Sequence, residues 1–217
     1  MNLFVYKLLQ VGFDTQTYNW FISSASDYAI SKICCSNSYL GKCNALYTDA
    51  LLKKCCKNVY HYLYDKSDIT TNKFGKPYFK SNSIFFNISH SGRYAALAVS
   101  QYPVGVDVED NVKMIDKRVI NVIDKKDSNI EDNSAFKILK LWTAKESFLK
   151  GLGVGMTYPV DRVSYIEENN TISIKNRVKN IWSVTQIFSN KYVVSVASPK
   201  AIGIQFHLIK RLDGLIN

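Results

Sequence analysis

The sequence predicts an α+β fold in two halves that divide near residues 101–105. Three observations predict it. Helical and strand-like segments follow one another in irregular order, without the strand–helix alternation of a parallel α/β sheet. The 217 residues, 47% of them hydrophobic, suffice for one large or two small hydrophobic cores. The stretch QYPVG interrupts the pattern near the middle, which separates residues 1–103 from 104–217.

Residues 1–10 alternate loosely and predict an opening strand. Residues 24–62 read as mainly helical, with Leu46, Ala50, Leu51 and Cys55 on one face. Asn72 to Pro77 is a turn, punctuated by Gly75 and Pro77. Ser83–Ile88 and Tyr94–Ser100 read as a hairpin, with the polar sequence NISHSGR forming its turn. Val104–Val108 is a short strand. Residues 113–133 are charged and predict one helix and an exposed loop. A helix is expected from about Ser134 to Lys150, capped by Asn133 or Ser134 and followed by Gly151 and Gly153. Ile138, Leu139, Leu141, Trp142, Phe148 and Leu149 supply its apolar face. Arg162–Ile166, Thr171–Ile174 and Tyr192–Ala197 complete the strands. No internal repeat or low-complexity segment stands out.

The formal net charge of +10 attracts polyanions, phosphorylated ligands and acidic proteins. The basic residues are dispersed and form no tail, and no nucleic-acid-binding motif accompanies them. The cysteines, Cys34, Cys35, Cys43, Cys55 and Cys56, are odd in number and have no C-x-x-C spacing. That argues against a disulfide framework and against a zinc site built on Cys55, Cys56 and His61. Reduced, mostly buried thiols are expected. The opening MNLFVYKLLQVGF does not read as a secretory leader, and no apolar run approaches the ~20 residues of a membrane span. A soluble, cytoplasmic protein is expected.

Chemistry-bearing residues fall in three segments. Asp107 and Glu109 in VGVDVED are two apart on a strand and share a face. Two carboxylates side by side repel unless a cation lies between them; the alternative is an exposed strand end with solvated acids. Glu146 and Lys150 in LWTAKESFLKG are one helical turn apart, with Trp142 a turn earlier. They read either as a routine helix ion pair or as part of a half-buried site. Lys145 reads as a surface lysine, with a helping role beside Lys150 as the alternative. His90, in NISHSG with Asn87, Ser89, Ser91 and Arg93, reads as a plain polar turn or as an anion pocket to which Lys76 adds a cation.

In the order GKP, NISHSG, VGVDVE, WTAKESFLK, these segments resemble the Sfp-type 4'-phosphopantetheinyl transferases. The resemblance covers roughly residues 65–200 and includes a spacing of 37 between Glu109 and Glu146. It implies a pseudo-dimer of two similar α+β halves with coenzyme A in the cleft between them. The implied reaction moves the phosphopantetheine arm of coenzyme A to a serine of an apo acyl- or peptidyl-carrier protein, releasing 3',5'-ADP. By matching positions, Asp107, Glu109 and Glu146 would hold Mg²⁺, a hard cation suited to carboxylate oxygens. Lys150 would bind the pyrophosphate, and Glu146 would also serve as general base. Ser89 and His90 would contact the 3'-phosphate, and Lys76 and Pro77 the adenine side. Members of this type are often monomeric, and their carrier partners are acidic, which gives the basic charge a meaning.

The N-terminal quarter departs from the family pattern. Asn44 stands where an Arg is common and Ala45 where a Ser or Thr is. Lys53 is a candidate for the closing Arg of that helix, and Lys32 and Lys42 are candidates for the 3'-phosphate clamp. Three rival readings follow. A nucleic-acid-binding protein would explain the charge, a different Mg²⁺-dependent phosphohydrolase the acids, and a catalytically impaired coenzyme A-binding member the resemblance.

Overall fold

The computed structural model describes residues 1–8, 13–110, 135–175 and 181–209. The helix and loop expected over 113–133, and the caps Asn133 and Ser134, lie outside these residues.

The chain opens with strand β1 (Asn2–Lys7), then helices α1 (Thr15–Ser24), α2 (Asp27–Cys35) and α3 (Tyr39–Tyr60). Residues 24–62 are therefore mainly helical, but in separate pieces. Asp14, Ser26 and Ser38 cap the three helices, each accepting from a first-turn backbone N–H. Strands β2 (Ile69–Thr71) and β3 (Pro77–Phe79) flank the Asn72–Pro77 turn. Strands β4 (Phe85–Ser91) and β5 (Tyr94–Ser100) form the hairpin.

This hairpin corrects one expectation. NISHS is not a turn: it is the end of β4, and the chain reverses only at Gly92–Arg93. The polar residues misled because Asn87, Ser89 and Ser91 are buried on a polar seam, which composition alone does not distinguish from a loop.

The second half contains β6 (Gly105–Asp110), α4 (Ala135–Leu152), β7 (Val163–Ile166), β8 (Thr171–Ile174), β9 (Trp182–Phe188) and β10 (Tyr192–Ser198), followed by β11 (Gln205–Ile209). One sheet has the order β11-β1-β5-β4, the other β6-β10-β9-β8-β7. The halves repeat one plan. Strand, long helix and hairpin give β1-β5-β4 in the first and β6-β10-β9 in the second. The register repeats as well: Lys7 opposes Tyr94 as Asp110 opposes Tyr192, and Asn2 opposes Val99 as Gly105 opposes Ala197. The only trace of this in the sequence is the likeness of YAALAVS to YVVSVAS. Residues 205–209 run parallel to β1 and so belong, in space, to the first half's sheet.

Strand alternation assigns each face a task. Phe4, Tyr6, Leu97 and Val99 pack against Tyr47, Leu51, Leu52 and Cys55 of α3. On the opposite faces, Leu3, Val5, Tyr94, Ala96 and Ala98 meet Val106, Val108, Tyr192, Val194 and Val196 of the other half. Tyr94 and Tyr192, equivalent in the two halves, lie with ring centroids 5.0 Å apart. In the second half, Ile138, Leu141, Phe148 and Leu149 of α4 pack on Val163, Ile172, Trp182 and Val184.

The C-terminus of α4 closes with Gly153 at φ +74, its N–H donating to Lys150 O and that of Val154 to Leu149 O. This is a Schellman motif, whose left-handed position favours glycine. Gly151, expected after the helix, is still inside it.

Helix α4 lies against β6 at a distance only glycine permits. A Cβ on Gly105 would sit 1.9 Å from Ser147 O and 2.3 Å from Gly151 N, both backbone atoms. Gly105→Ala is therefore expected to destabilise the chain by on the order of 3 kcal/mol or more. Gly203→Ala, where a Cβ would meet nothing within 4 Å, serves as control and should be near neutral. Equal thermal midpoints for the two variants would contradict this account of the contact.

Candidate active site

The site grows out of the seam where edge strands β4 and β6 face each other. Alternate side chains of β4 bridge it. Asn87 Oδ1 accepts from Val106 N at 2.9 Å, Ser89 Oγ donates to Asp107 Oδ1 at 2.8 Å, and Ser91 donates to Glu109. Arg93 ends the series with a bidentate contact to Asp110 at 2.9 and 3.0 Å. Thus Arg93, grouped by sequence with the anion pocket, has its guanidinium engaged by a carboxylate instead.

Asp107 and Glu109 alternate with Val106 and Val108, so the valines fill the seam core while the acids look toward the α4 side. From α4, Lys150 donates to Asp107 Oδ1 at 2.5 Å and to Ser89 Oγ at 2.9 Å. Asp107, Ser89 and Lys150 thus form a closed triangle drawn from three elements and both halves. Lys150 pairs across to β6, so the simple ion pair along the helix is not its arrangement. Burial lowers the pKa of its ammonium, but Asp107, with Glu146 and Glu109, outweighs this and leaves it raised.

Glu146 is 6% exposed. Burial first, then the charges of Asp107 and Glu109, push its pKa up from 4.5 to about 7, with Lys150 opposing. Two buried oxygens of the site have no hydrogen-bond partner among the described residues: Asp107 Oδ2 and Glu146 Oε1. Buried anionic oxygens of this kind call for a cation. Among the described residues no three His, Cys, Asp or Glu side chains form a group that could hold a metal ion, the expected set Asp107, Glu109 and Glu146 included. Asp107 Oδ1 is held by Ser89 and Lys150, and Glu109 by Ser91.

The other sequence-derived candidates are spread over two further places. Lys76 Nζ donates to Gly151 O at 2.7 Å and to Val104 O at 3.2 Å, and burial lowers its pKa to about 8. It adds no cation to a pocket around His90. Pro77 is the buried first residue of β3. Ser89 and His90, adjacent in sequence, point to opposite faces of β4. Ser89 joins the triangle, while His90 is exposed and lines a pocket of about 470 Å³ between α2, α3 and the first sheet. Lys32 and Asn44 line the same pocket, and its floor includes Tyr6, Leu52 and Ile88. Lys42 is not part of that lining. Lys53 pairs with Asp49 at 3.3 Å and also donates to Ser24 O.

Lys145 corrects another expectation: it is fully buried and is not a surface lysine. Helix α4 is covered on all sides over 143–149, which its single apolar stripe does not reveal. Sequence reasoning also missed Ser91 as the partner of Glu109. The signal was present in the i, i+2, i+4 spacing of Asn87, Ser89 and Ser91, once the segment is read as a strand. The cysteines are all free. Cys43, Cys55 and Cys56 are buried, Cys34 and Cys35 exposed. Burial pushes the Cys55 and Cys56 thiols up to about 12, which makes them inert. No described helix is long and apolar enough to cross a membrane.

Comparison with known proteins agrees with this architecture. Residues 103–197 match the family model of the 4'-phosphopantetheinyl transferase superfamily, and residues 39–102 match that of the 4'-phosphopantetheinyl transferase N-terminal region. The chain belongs to the 4'-phosphopantetheinyl transferase superfamily. It is 34% identical over 123 residues to the 4'-phosphopantetheinyl transferase Sfp of Bacillus subtilis (strain 168), covering 52% of this chain and 55% of the relative. It is 33% identical over 109 residues to the 4'-phosphopantetheinyl transferase gsp of Aneurinibacillus migulanus, covering 48% and 45%. To psf-1 of Bacillus pumilus it is 30% identical over 117 residues, covering 51% and 50%. The chain spans about half the length of the curated relatives it matches.

The raised pKa of Glu146 has a measurable consequence. Its folded value exceeds its ordinary one, so the folded chain holds a proton that the unfolded chain releases between pH 4.5 and about 7. Stability is lost as pH rises through that window, by at most about 3 kcal/mol. In chelator, Glu146→Gln is expected to melt several degrees above wild type at pH 8. The gap should close by pH 5. A variant no more stable than wild type at pH 8 would contradict the strain assigned to this carboxylate.

Proposed function

We propose that the chain transfers the 4'-phosphopantetheine arm of coenzyme A to a serine of an apo acyl- or peptidyl-carrier protein, releasing 3',5'-ADP in a Mg²⁺-dependent reaction. One observation carries the reading: the unpartnered buried oxygens Asp107 Oδ2 and Glu146 Oε1 beside the Lys150 ammonium. Surplus negative charge next to a fixed cation suits a divalent metal and a diphosphate. The donor set fits Mg²⁺, which takes one or two carboxylates and keeps positions for water and phosphate oxygens. Asp107 and Glu146 would hold it, with Glu109 at hand. When bound, the ion supplies neutralisation of charge on the pyrophosphate oxygens.

The residues of the chain account for the rest. Lys150 binds the pyrophosphate and offsets the charge that develops on the leaving oxygen. The carrier serine attacks the phosphorus attached to pantetheine. A new Ser O–P bond forms, the bridging P–O bond breaks, and the electron pair leaves with 3',5'-ADP. The serine proton passes to Glu146, directly or through a water. The pocket bearing His90 and Lys32 suits the 3'-phosphate end of coenzyme A. Asn44 gives that pocket one less cation than an Arg would. The net charge of +10 favours encounter with an acidic carrier.

Intact-mass measurement tests the proposal. An apo carrier incubated with enzyme, coenzyme A and Mg²⁺ should gain roughly 340 Da, the mass of the arm moved in the phosphoryl step. Chelator should abolish the gain. Glu146→Gln and Asp107→Ala should lower the rate by on the order of 10²–10³-fold. His90→Ala should act mainly on KM for coenzyme A, by about tenfold. Normal transfer by Glu146→Gln, or release of free phosphate without carrier modification, would contradict the reading.

A further inference from the structure

Helix α4 ends at the seam, and its terminal carbonyls need partners. A helix leaves its last carbonyls without intrahelical donors, and cations are favoured there. The Schellman motif supplies two of them, through Val154 N to Leu149 O and Gly153 N to Lys150 O. The carbonyl of Gly151 is left over, and Lys76 Nζ takes it at 2.7 Å. Lys76 comes from the other half, 75 residues away in the chain. The same ammonium holds Val104 O at 3.2 Å, on the residue just before β6.

The turn that carries Lys76 is itself fixed. Asn72 Oδ1 accepts from Phe74 N and Lys76 N at 2.9 and 3.0 Å, and Asn72 Nδ2 donates to Gly153 O at 2.7 Å. The aliphatic stem of Lys76 runs close over Gly153, where a Cβ would lie 3.2 Å from Lys76 Cδ. The resemblance assigned Lys76 to the adenine side of coenzyme A, but its charge is engaged with backbone of the second half.

Resting on the transferase reading for its catalytic consequence, we propose that Lys76 is a positioning residue: it caps α4 from the opposite half and clamps that helix end to the start of β6. The two carbonyls it joins flank the site. Gly151 follows Lys150 directly, and Val104 lies three residues before Asp107. Lys76 therefore sets the spacing between the groups that must act on one pyrophosphate. A misplacement of about 1 Å at such a distance costs on the order of 10²-fold in rate.

The experiment compares wild type, Lys76→Met and Lys76→Arg by hydrogen exchange over 145–155 and by steady-state transfer kinetics. In Lys76→Met, exchange over 145–155 should speed up by about tenfold, as a terminal turn that has lost its cap opens locally. Its kcat should fall on the order of 10- to 100-fold, with KM for coenzyme A little changed. Lys76→Arg, which keeps the charge and the donors, should restore most of both. If the methionine variant does not fold, Lys76→Gln, too short to reach both carbonyls, should show the same two changes. A rise in KM alone with unchanged exchange would make Lys76 a nucleotide contact and overturn the proposal. Unchanged exchange with unchanged kcat would overturn it as well. Should wild type transfer nothing, the transferase reading fails, and exchange alone decides the cap.

Discussion

Lys150 reaches Asp107 at 2.5 Å because β6 and α4 touch backbone to backbone at Gly105. That contact brings Asp107 and Glu146 out of water together, with half-buried Glu109 and Lys150 beside them. Each acid alone would lose hydration without return, and each raises the cost of ionising its neighbour. Glu146 shows the result, an acid whose pKa stands near neutrality while its Oε1 has no hydrogen-bond partner among the described residues. The arrangement is unfavourable in isolation and becomes favourable when a cation and a diphosphate share it. Function and instability thus have one source.

The seam that holds the site is of two kinds. Its interior is dry, filled by alternate valines, alanines and the Tyr94–Tyr192 pair from equivalent strands. Its edge is polar, where side chains of β4 reach across to β6. Backbone pairing would have merged the two sheets and buried the space between β4 and α4. Side-chain bridging keeps the halves together without joining their sheets. The repeated plan of the halves does not make them equivalent in use. The first offers a pocket beside His90, the second the acids and Lys150.

Much of this was legible in the sequence where a residue's chemistry and its period agreed. Asp107 and Glu109 alternating with valines, and Glu146 and Lys150 one turn apart, gave the strand, the helix and the side chains that the two bring near one another. The fold class followed from the irregular order of helix and strand, and the family from the joint spacing of four motifs. The failures arose where burial was polar. NISHS resembles a turn because nothing local reveals that Asn87, Ser89 and Ser91 face another strand. Lys145 resembles a surface residue because its cover comes from elements distant in the chain. Strand β11 was invisible for the same reason, since its partner β1 lies some 200 residues earlier. The internal repeat lives in register and strand order, which seven-residue similarities between strands barely record.

The central claim concerns where positive charge settles, and diffraction from crystals soaked with coenzyme A and Mn²⁺ addresses it most directly. An anomalous peak is predicted within ligand distance of Asp107 Oδ2 and Glu146 Oε1, with the diphosphate against Lys150. Coenzyme A bound away from Lys150, or bound there with no manganese at those two oxygens, would contradict the account.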